Sequence, residues 1–193
     1  MIEGNKFIAS FDTTSAKVIV ERNQSILKID QLVTSPDFEF IDFDSDSIPE
    51  LVFYCIGCKA EVLTIFDYDS INQSFKLIKN IEDFPAPKNI EKTNLYYSYS
   101  PTGCADQNWE SKLFRIENFK TELIGLLRVE ACPDNDKNTA FTIDIFKPDN
   151  SNDLTFVEAL PLDTINTYNE NKWGFIKSYW ENQYKAFTNN TPR

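Results

Sequence analysis

Residues 38–55 read FEFIDFDSDSIPELVFYC, and the order of residue types in this stretch decides the fold class. FEFID (38–42) alternates apolar and acidic positions, as a half-buried strand does. DSDSIPE (44–50) is a turn-forming segment with carboxylates at nearly every second position. PELVFYC (49–55) is a short apolar run of the length of a buried strand. Strand, polar turn and strand in so few residues leave no room for a crossover helix, so the pairing is antiparallel.

The same grammar extends in both directions. Upstream lie KFIASF (6–11), AKVIVE (16–21) and SILKID (25–30). Downstream come AEVLTIFDY (60–68) and SFKLIKN (74–80), then a Pro-broken linker, EDFPAPKN (82–89). TNLYYSYS (93–100), KLFRIE (112–117), TELIGLLRVE (121–130), TAFTIDIF (139–146) and LTFVEAL (154–160) complete the series. Strands about 8–12 residues apart with turn signals between them indicate antiparallel sheets. Asn, Asp and Ser clusters place tight hairpins at 69–73 and 148–153.

One segment has a different period. Between residues 172 and 187, Trp173, Ile176, Trp180, Tyr184 and Phe187 recur at steps of three and four and share a helical face. Lys177, Glu181, Asn182 and Lys185 lie largely opposite, and Asn171 is suited to cap the start. Gly174 weakens the first turn. The expectation is a single mainly β domain over 1–193, strand-rich from 5 to 160. Its antiparallel sheets are sandwich-like, with an amphipathic helix at about 171–188 and a frayed tail at 189–193.

Composition excludes several chemistries. The 193 residues include no histidine, so Ser-His-Asp and Cys-His catalysis and His-ligated zinc are ruled out. Nineteen basic against 30 acidic residues give a net charge of −11, unsuited to a nucleic-acid backbone. No apolar run reaches the roughly 20 residues of a membrane span. The N-terminal MIEGNKFIAS lacks the basic and apolar regions of a signal peptide. Two locations follow: the cytoplasm, or the periplasm or cell envelope after removal of a leader. The even count of four cysteines favours the second.

Asp42, Asp44, Asp46 and Glu50 hold positions 1, 3, 5 and 9 of a short loop, with the Ile48 carbonyl at position 7. Hard cations such as calcium take roughly six to eight oxygen ligands, and this spacing can supply them. The competing reading is an Asp/Ser-rich turn whose carboxylates only accept backbone N–H bonds. Calcium here would be structural. The loop resembles the D-x-D-x-D-G-x-x-D loop of FG-GAP and VCBS-like calcium-binding β proteins. Ser47 stands where those families have Gly, and Glu50 where they have Asp.

Cys55 and Cys58 form CIGC between two strand patterns, so Ile56-Gly57 reads as a hairpin turn. A thioredoxin-like site would continue as a helix, and this motif does not. A local disulfide or two idle thiols remain. A bridge between Cys104 and Cys132 would close a long loop and stabilise by roughly 3–4 kcal/mol. Four cysteines allow three pairings, and sequence alone does not choose among them.

Residues 95–109, LYYSYSPTGCADQNW, are rich in the Tyr, Ser, Gly and Asn favoured on recognition surfaces. Alternating Tyr residues on a half-buried strand, with Trp109 in the core, account for most of this composition. The turn from Ser100 to Asp106 is expected to be exposed. The order of the acidic loop, IFDYDSINQSFKLI, YYSYSPTGCAD and KLFRIENFKTELIGLLRVE is similar to that in periplasmic lysozyme-inhibitor-like immunity proteins. It also resembles uncharacterised envelope lipoprotein domains of Bacteroidetes. The likeness spans about residues 36–130 and implies curved, β-propeller-like sheets with a calcium loop, in a non-enzymatic inhibitor or immunity protein of a peptidoglycan hydrolase. It further implies that Ser98, Tyr99, Ser100 and Asp106 enter the hydrolase cleft. Acidic charge suits a basic hydrolase as protein partner. A structural or adhesive envelope domain binding glycan or protein is the alternative. A glycosidase using two carboxylates is less favoured, because abundance of acids is not a catalytic pair.

Overall fold

The computed structural model describes residues 6–12, 14, 17–22, 25–32, 37–55, 58, 61–132 and 141–188. The chain is mainly β and antiparallel, as the periodicity predicts, and ends in one α-helix. Its residues group into two compact units, Met1–Asp83 with Asn118–Lys120, and Phe84–Glu117 with Thr121–Arg193.

The first unit contains β1 (Phe7–Asp12), β2 (Lys17–Arg22) and β3 (Ser25–Leu32) as one meander. β4 (Phe38–Ile41), β5 (Glu50–Tyr54), β6 (Leu63–Asp69) and β7 (Ser74–Leu77) form a second sheet in chain order. Both sheets contribute to one core: Val18 and Val20 from β2, Leu51 and Phe53 from β5, and Phe66 from β6. Phe7, Phe11, Phe38, Phe40 and Phe75 pack around it. The rings meet edge to face, for example Phe53 on Phe66 at 5.8 Å, the arrangement their quadrupoles favour. Each buried aromatic of this kind contributes about 1.5–3 kcal/mol.

Tyr54 pairs with Leu63, and the Cys55 N–H donates to the Val62 carbonyl. The β5–β6 bend therefore lies within residues 55–62, later than a two-residue turn at Ile56-Gly57 would place it. Those two residues lie outside the described ones, as does the tail at 189–193. The hairpin predicted at 69–73 is present, with Asp69 opposite Ser74. Asp69 closes it by accepting bonds from the Ile71 and Asn72 N–H groups and the Asn72 side chain, and by pairing with Lys76.

The second unit holds β8 (Lys88–Asn89), β9 (Leu95–Tyr97), β10 (Ser100–Gly103), β11 (Asn108–Glu117), β12 (Lys120–Val129), β13 (Thr142–Pro148) and β14 (Leu154–Pro161). Their order is β14-β13-β12-β11-β9-β8, with β10 pairing β11. The segment expected as one strand over 93–100 is two short ones, because β9 and β10 pair with different stretches of β11. The short β8 arises inside the predicted linker.

Helix α1 (Lys172–Thr188) packs on this sheet through Phe175, Ile176, Trp180 and Phe187. Asn171 precedes it, and its carbonyl accepts the Phe175 N–H at 2.9 Å, as an N-cap carbonyl does. The buried face differs from the predicted stripe at one end. Phe175 takes the place assigned to Trp173, which is 50% exposed. Trp180 is wholly buried, and its indole N–H donates to the equally buried Ser111 hydroxyl at 2.8 Å. A buried indole N–H without that partner would cost about 1–3 kcal/mol.

Two glycines permit close approach. At Gly174 an added Cβ would lie 1.8 Å from the Asn169 carbonyl oxygen, so the turn entering α1 excludes a side chain. At Gly125 on β12 it would lie 2.7 Å from the Phe187 ring and 3.2 Å from Trp180. The variant Gly125→Ala should therefore lose about 1–3 kcal/mol in denaturant unfolding. Adding Phe187→Leu should recover part of that loss. A wild-type midpoint for Gly125→Ala would show that the two rings do not rest on β12.

Candidate functional site

The acidic loop of the first unit joins β4 to β5. Its backbone doubles back twice, with φ of 66° at Ser45 and 72° at Ser47. Ser47 thus adopts the left-handed conformation that glycine takes at lower cost. Asx-type bonds hold these bends. The Ser47 N–H donates to Asp42 at 3.3 Å, the Asp46 N–H to Asp44 at 3.1 Å, and the Ile48 N–H to Asp46 at 2.6 Å. The hydrogen-bonded turn anticipated from composition is present.

Those bonds do not account for Glu50. It opens β5 and is 1% exposed, although its neighbours Leu51 and Val52 form the apolar strand interior. Its Oε2 accepts the Phe43 N–H at 2.5 Å, while Oε1 is buried and has no hydrogen-bond partner among the described residues. Asp42, Asp44 and Glu50 each direct a carboxylate oxygen into one cluster, all within 4.8 Å of one another. Asp46 does not join that cluster. Ile48 is half-buried.

Burial drives the Glu50 carboxyl up to about 8 against the Phe43 hydrogen bond, and the charges of Asp44, Asp67 and Asp46 add to the rise. Asp44 is also raised, first by burial and then by Asp46. Asp67 on β6 is pushed up to about 6 by burial and by the charge of Asp44. Asp67 was not among the predicted loop residues. Pairing of Leu51 with Phe66 brings it beside Glu50, a relation of strand register that spacing along the chain does not contain. A buried carboxylate oxygen without a donor, beside two further carboxylates, fits a hard cation. Asp42, Asp44 and Glu50 would hold that ion, which would neutralise their repulsion.

The second unit carries the predicted recognition loop. Ser98 is buried and its N–H donates to the Lys112 carbonyl at 2.9 Å, so it belongs to the sheet. Tyr99 and Ser100 are half-buried, while Asp106 is exposed. Trp109 lies in the core, as expected. Between these points the backbone departs from ordinary turns. Cys104, Ala105 and Asp106 have φ of 50°, 49° and 72°, three successive non-glycine residues in the left-handed region. Each costs roughly 1–2 kcal/mol, so the conformation persists only because its surroundings impose it.

Two restraints are visible. Cys104 is bridged to Cys132 with Cα atoms 5.8 Å apart, and the Asn108 side chain accepts the N–H groups of Ala131 and Cys132 at 2.7 and 3.0 Å. Cys55 and Cys58 form the other bridge, so the pairing is 55–58 and 104–132. On the far side, the Lys172 ammonium donates to Asp106 at 2.6 Å and to the Tyr99 hydroxyl at 2.8 Å. The Tyr99 hydroxyl in turn donates to Asp106. Burial raises the Asp106 carboxyl, but the bonds from Lys172 and Tyr99 outweigh it and hold the group below its usual range. The Tyr99 phenol is pushed up by burial and by Asp106.

Lys172 opens α1, where a cation opposes the helix dipole, so Asp106 offsets an unfavourable position. Trp173 leans edge-on against Tyr99 with centroids 4.3 Å apart. Lys172 and Trp173 were not among the predicted site residues. Periodicity assigned Trp173 to the core, and nothing in the spacing links residue 172 to 106.

The raised carboxyls predict a pH dependence. Glu50 moves from 4.5 to about 8 on folding, and Asp67 from 3.8 to about 6. A raised acid binds protons more tightly when folded, so stability is greatest below the unfolded values and falls as pH rises. Cation-free protein should melt lower at pH 8 than at pH 5, and Glu50→Gln should flatten most of that slope. Calcium added at pH 8 should raise the melting temperature of the wild type and leave Glu50→Gln unmoved. A flat pH profile with no calcium response would remove the basis for an ion at this loop.

No protein-family model matches the chain, and no curated protein does. The fold does have a solved counterpart. A Xanthomonas Type IV secretion system related protein superposes with a TM-score of 0.51 at 13% identity, over 78% of this chain and 85% of that one. At that identity the likeness is one of fold.

Proposed function

We propose that this protein is a non-enzymatic binding protein of the bacterial cell envelope, and most specifically an inhibitor or immunity protein of a peptidoglycan hydrolase. The observation that carries this reading is the turn at 104–106 that follows β10, where Ala105 and Asp106 are exposed. Three consecutive left-handed residues are held there by a disulfide and a Tyr-Asp-Lys latch. Strained backbone at an exposed loop marks a shape required for recognition, and rigidity before contact reduces the entropy lost on binding.

Other features agree. Two disulfides suit an oxidising compartment. The solved counterpart is described as related to a secretion system, which is compatible with an envelope location. Among the described residues no helix is long and apolar enough to cross a membrane. A charge of −11 speeds encounter with a basic enzyme. The acid with the largest upward shift, Glu50, is sealed from solvent and cannot meet a substrate, which speaks for binding over glycosidase chemistry. Asp42, Asp44 and Glu50 serve a structural calcium ion in this reading.

One observation favours the adhesive alternative. Trp173 is half exposed beside Tyr99, and such a ring can stack on a sugar face.

Turbidity assays of cell-wall lysis separate the two. Wild-type protein should slow lysis by at least one enzyme in a panel of lysozyme-like hydrolases. Lys172→Met should weaken inhibition at least ~10-fold by loosening the loop, with little change in melting temperature. Unchanged lysis across the panel, together with binding to isolated peptidoglycan that Trp173→Ala abolishes, would replace the inhibitor with an adhesive domain.

A further inference from the structure

β14 ends the sheet of the second unit. One of its edges pairs with β13, from Thr142 opposite Pro161 to Pro148 opposite Leu154. Among the described residues no strand pairs with the other edge. Natural edge strands are blunted by lysines, prolines or a covering element. β14 has no lysine, its one proline, Pro161, is its last residue, and its Leu154, Phe156 and Val157 are 39%, 55% and 51% exposed. At its C-terminal end lies a shallow apolar depression lined by Phe141, Pro161, Leu162, Asp163, Ile165 and Asn166. An open edge beside an apolar depression has the layout of a site for strand addition, in which main-chain bonds give affinity and a pocket receives a side chain.

Charge identifies the occupant. From residue 148 to residue 171 there are five acids, Asp149, Asp153, Glu158, Asp163 and Glu170, and no lysine or arginine. The nearest base along β13, Lys147, donates to the Ala186 carbonyl on α1. Glu158 is the one acid on β14 and the other four flank it, so a second copy would bring both the strand's charge and its acidic surroundings against their own kind, and like charges facing across a strand pair are destabilising. Val157 is an extra residue opposite the Ile145–Phe146 step, a bulge that bears equally on any added strand, so charge is what separates the two occupants. We propose that β14 is a docking edge for an extended segment of a partner protein in which apolar residues alternate with Lys or Arg. One apolar side chain of that segment seats in the depression beside Asp163. This surface is separate from the 99–106 loop, and the inference does not depend on what that loop inhibits.

A displayed library of random peptides, panned on the full chain, tests this directly. Enriched peptides should alternate apolar and basic residues. A synthetic peptide of the consensus should slow amide exchange of residues 154–160, and both Phe156→Lys and Glu158→Lys should weaken its binding at least ~10-fold. Both substituted side chains are exposed, so circular dichroism should match the wild type. Enrichment of peptides without basic residues, equal binding by the two variants, or protection confined to other strands would overturn the proposal. So would a wild-type dimer in sedimentation that Phe156→Lys converts to monomer, since the edge would then belong to a second copy.

Discussion

Glu50 begins the strand whose following residues, Leu51 and Phe53, hold the core of the first unit, and its carboxylate is buried beside them. A single backbone donor, the Phe43 N–H, serves one of its oxygens. Everything distinctive about the acidic loop follows from that constraint. Asp42 and Asp44 are brought to it by the left-handed turns at Ser45 and Ser47, and Asp67 is brought beside it by strand register. Burial alone would keep the group protonated, whereas a divalent cation would let it ionise and would offset the repulsion among its neighbours. The loop therefore unites two readings often treated as alternatives. Its carboxylates brace the turn through N–H bonds, and three of them, on Asp42, Asp44 and Glu50, also bring oxygens within 4.8 Å of one another.

The second unit solves a different problem. Its core is secured by Trp180, which has both an apolar bed over Gly125 and a polar partner in Ser111. With the helix so fixed, its first residue can act at a distance in sequence. Lys172 reaches Tyr99 and Asp106 and keeps a loop in a conformation that its own residues disfavour. Packing energy from the helix thus maintains a strained exposed loop, and rigidity of this kind suits recognition better than turnover.

Much of the fold was legible because amphipathic period reports directly on which face is buried. The strands of the first unit and the helix at 172–188 fall where alternation and helical spacing put them. The departures have specific causes. β9 and β10 separate because their partner stretches on β11 differ, and the β5–β6 bend shifts because register, not the CIGC motif, sets it. The acidic loop was legible as a cluster of donors, since its residues are adjacent in sequence. Asp67, Lys172 and Trp173 were not, because each reaches its site only through long-range pairing or helix docking. Trp173 shows the limit plainly: the same spacing that marks a buried stripe also fits a residue at the helix start that faces another aromatic.

We propose that a Glu50 carboxylate oxygen is a cation ligand. Crystals grown with calcium, or with terbium as an anomalous reporter, examine that atom itself. One ion should be bound by Asp42, Asp44 and Glu50, with a Glu50 carboxylate oxygen at about 2.3–2.6 Å from calcium. Clear density for these side chains with no anomalous peak among them, and Glu50 Oε1 hydrogen-bonded to water or a protein donor, would contradict it.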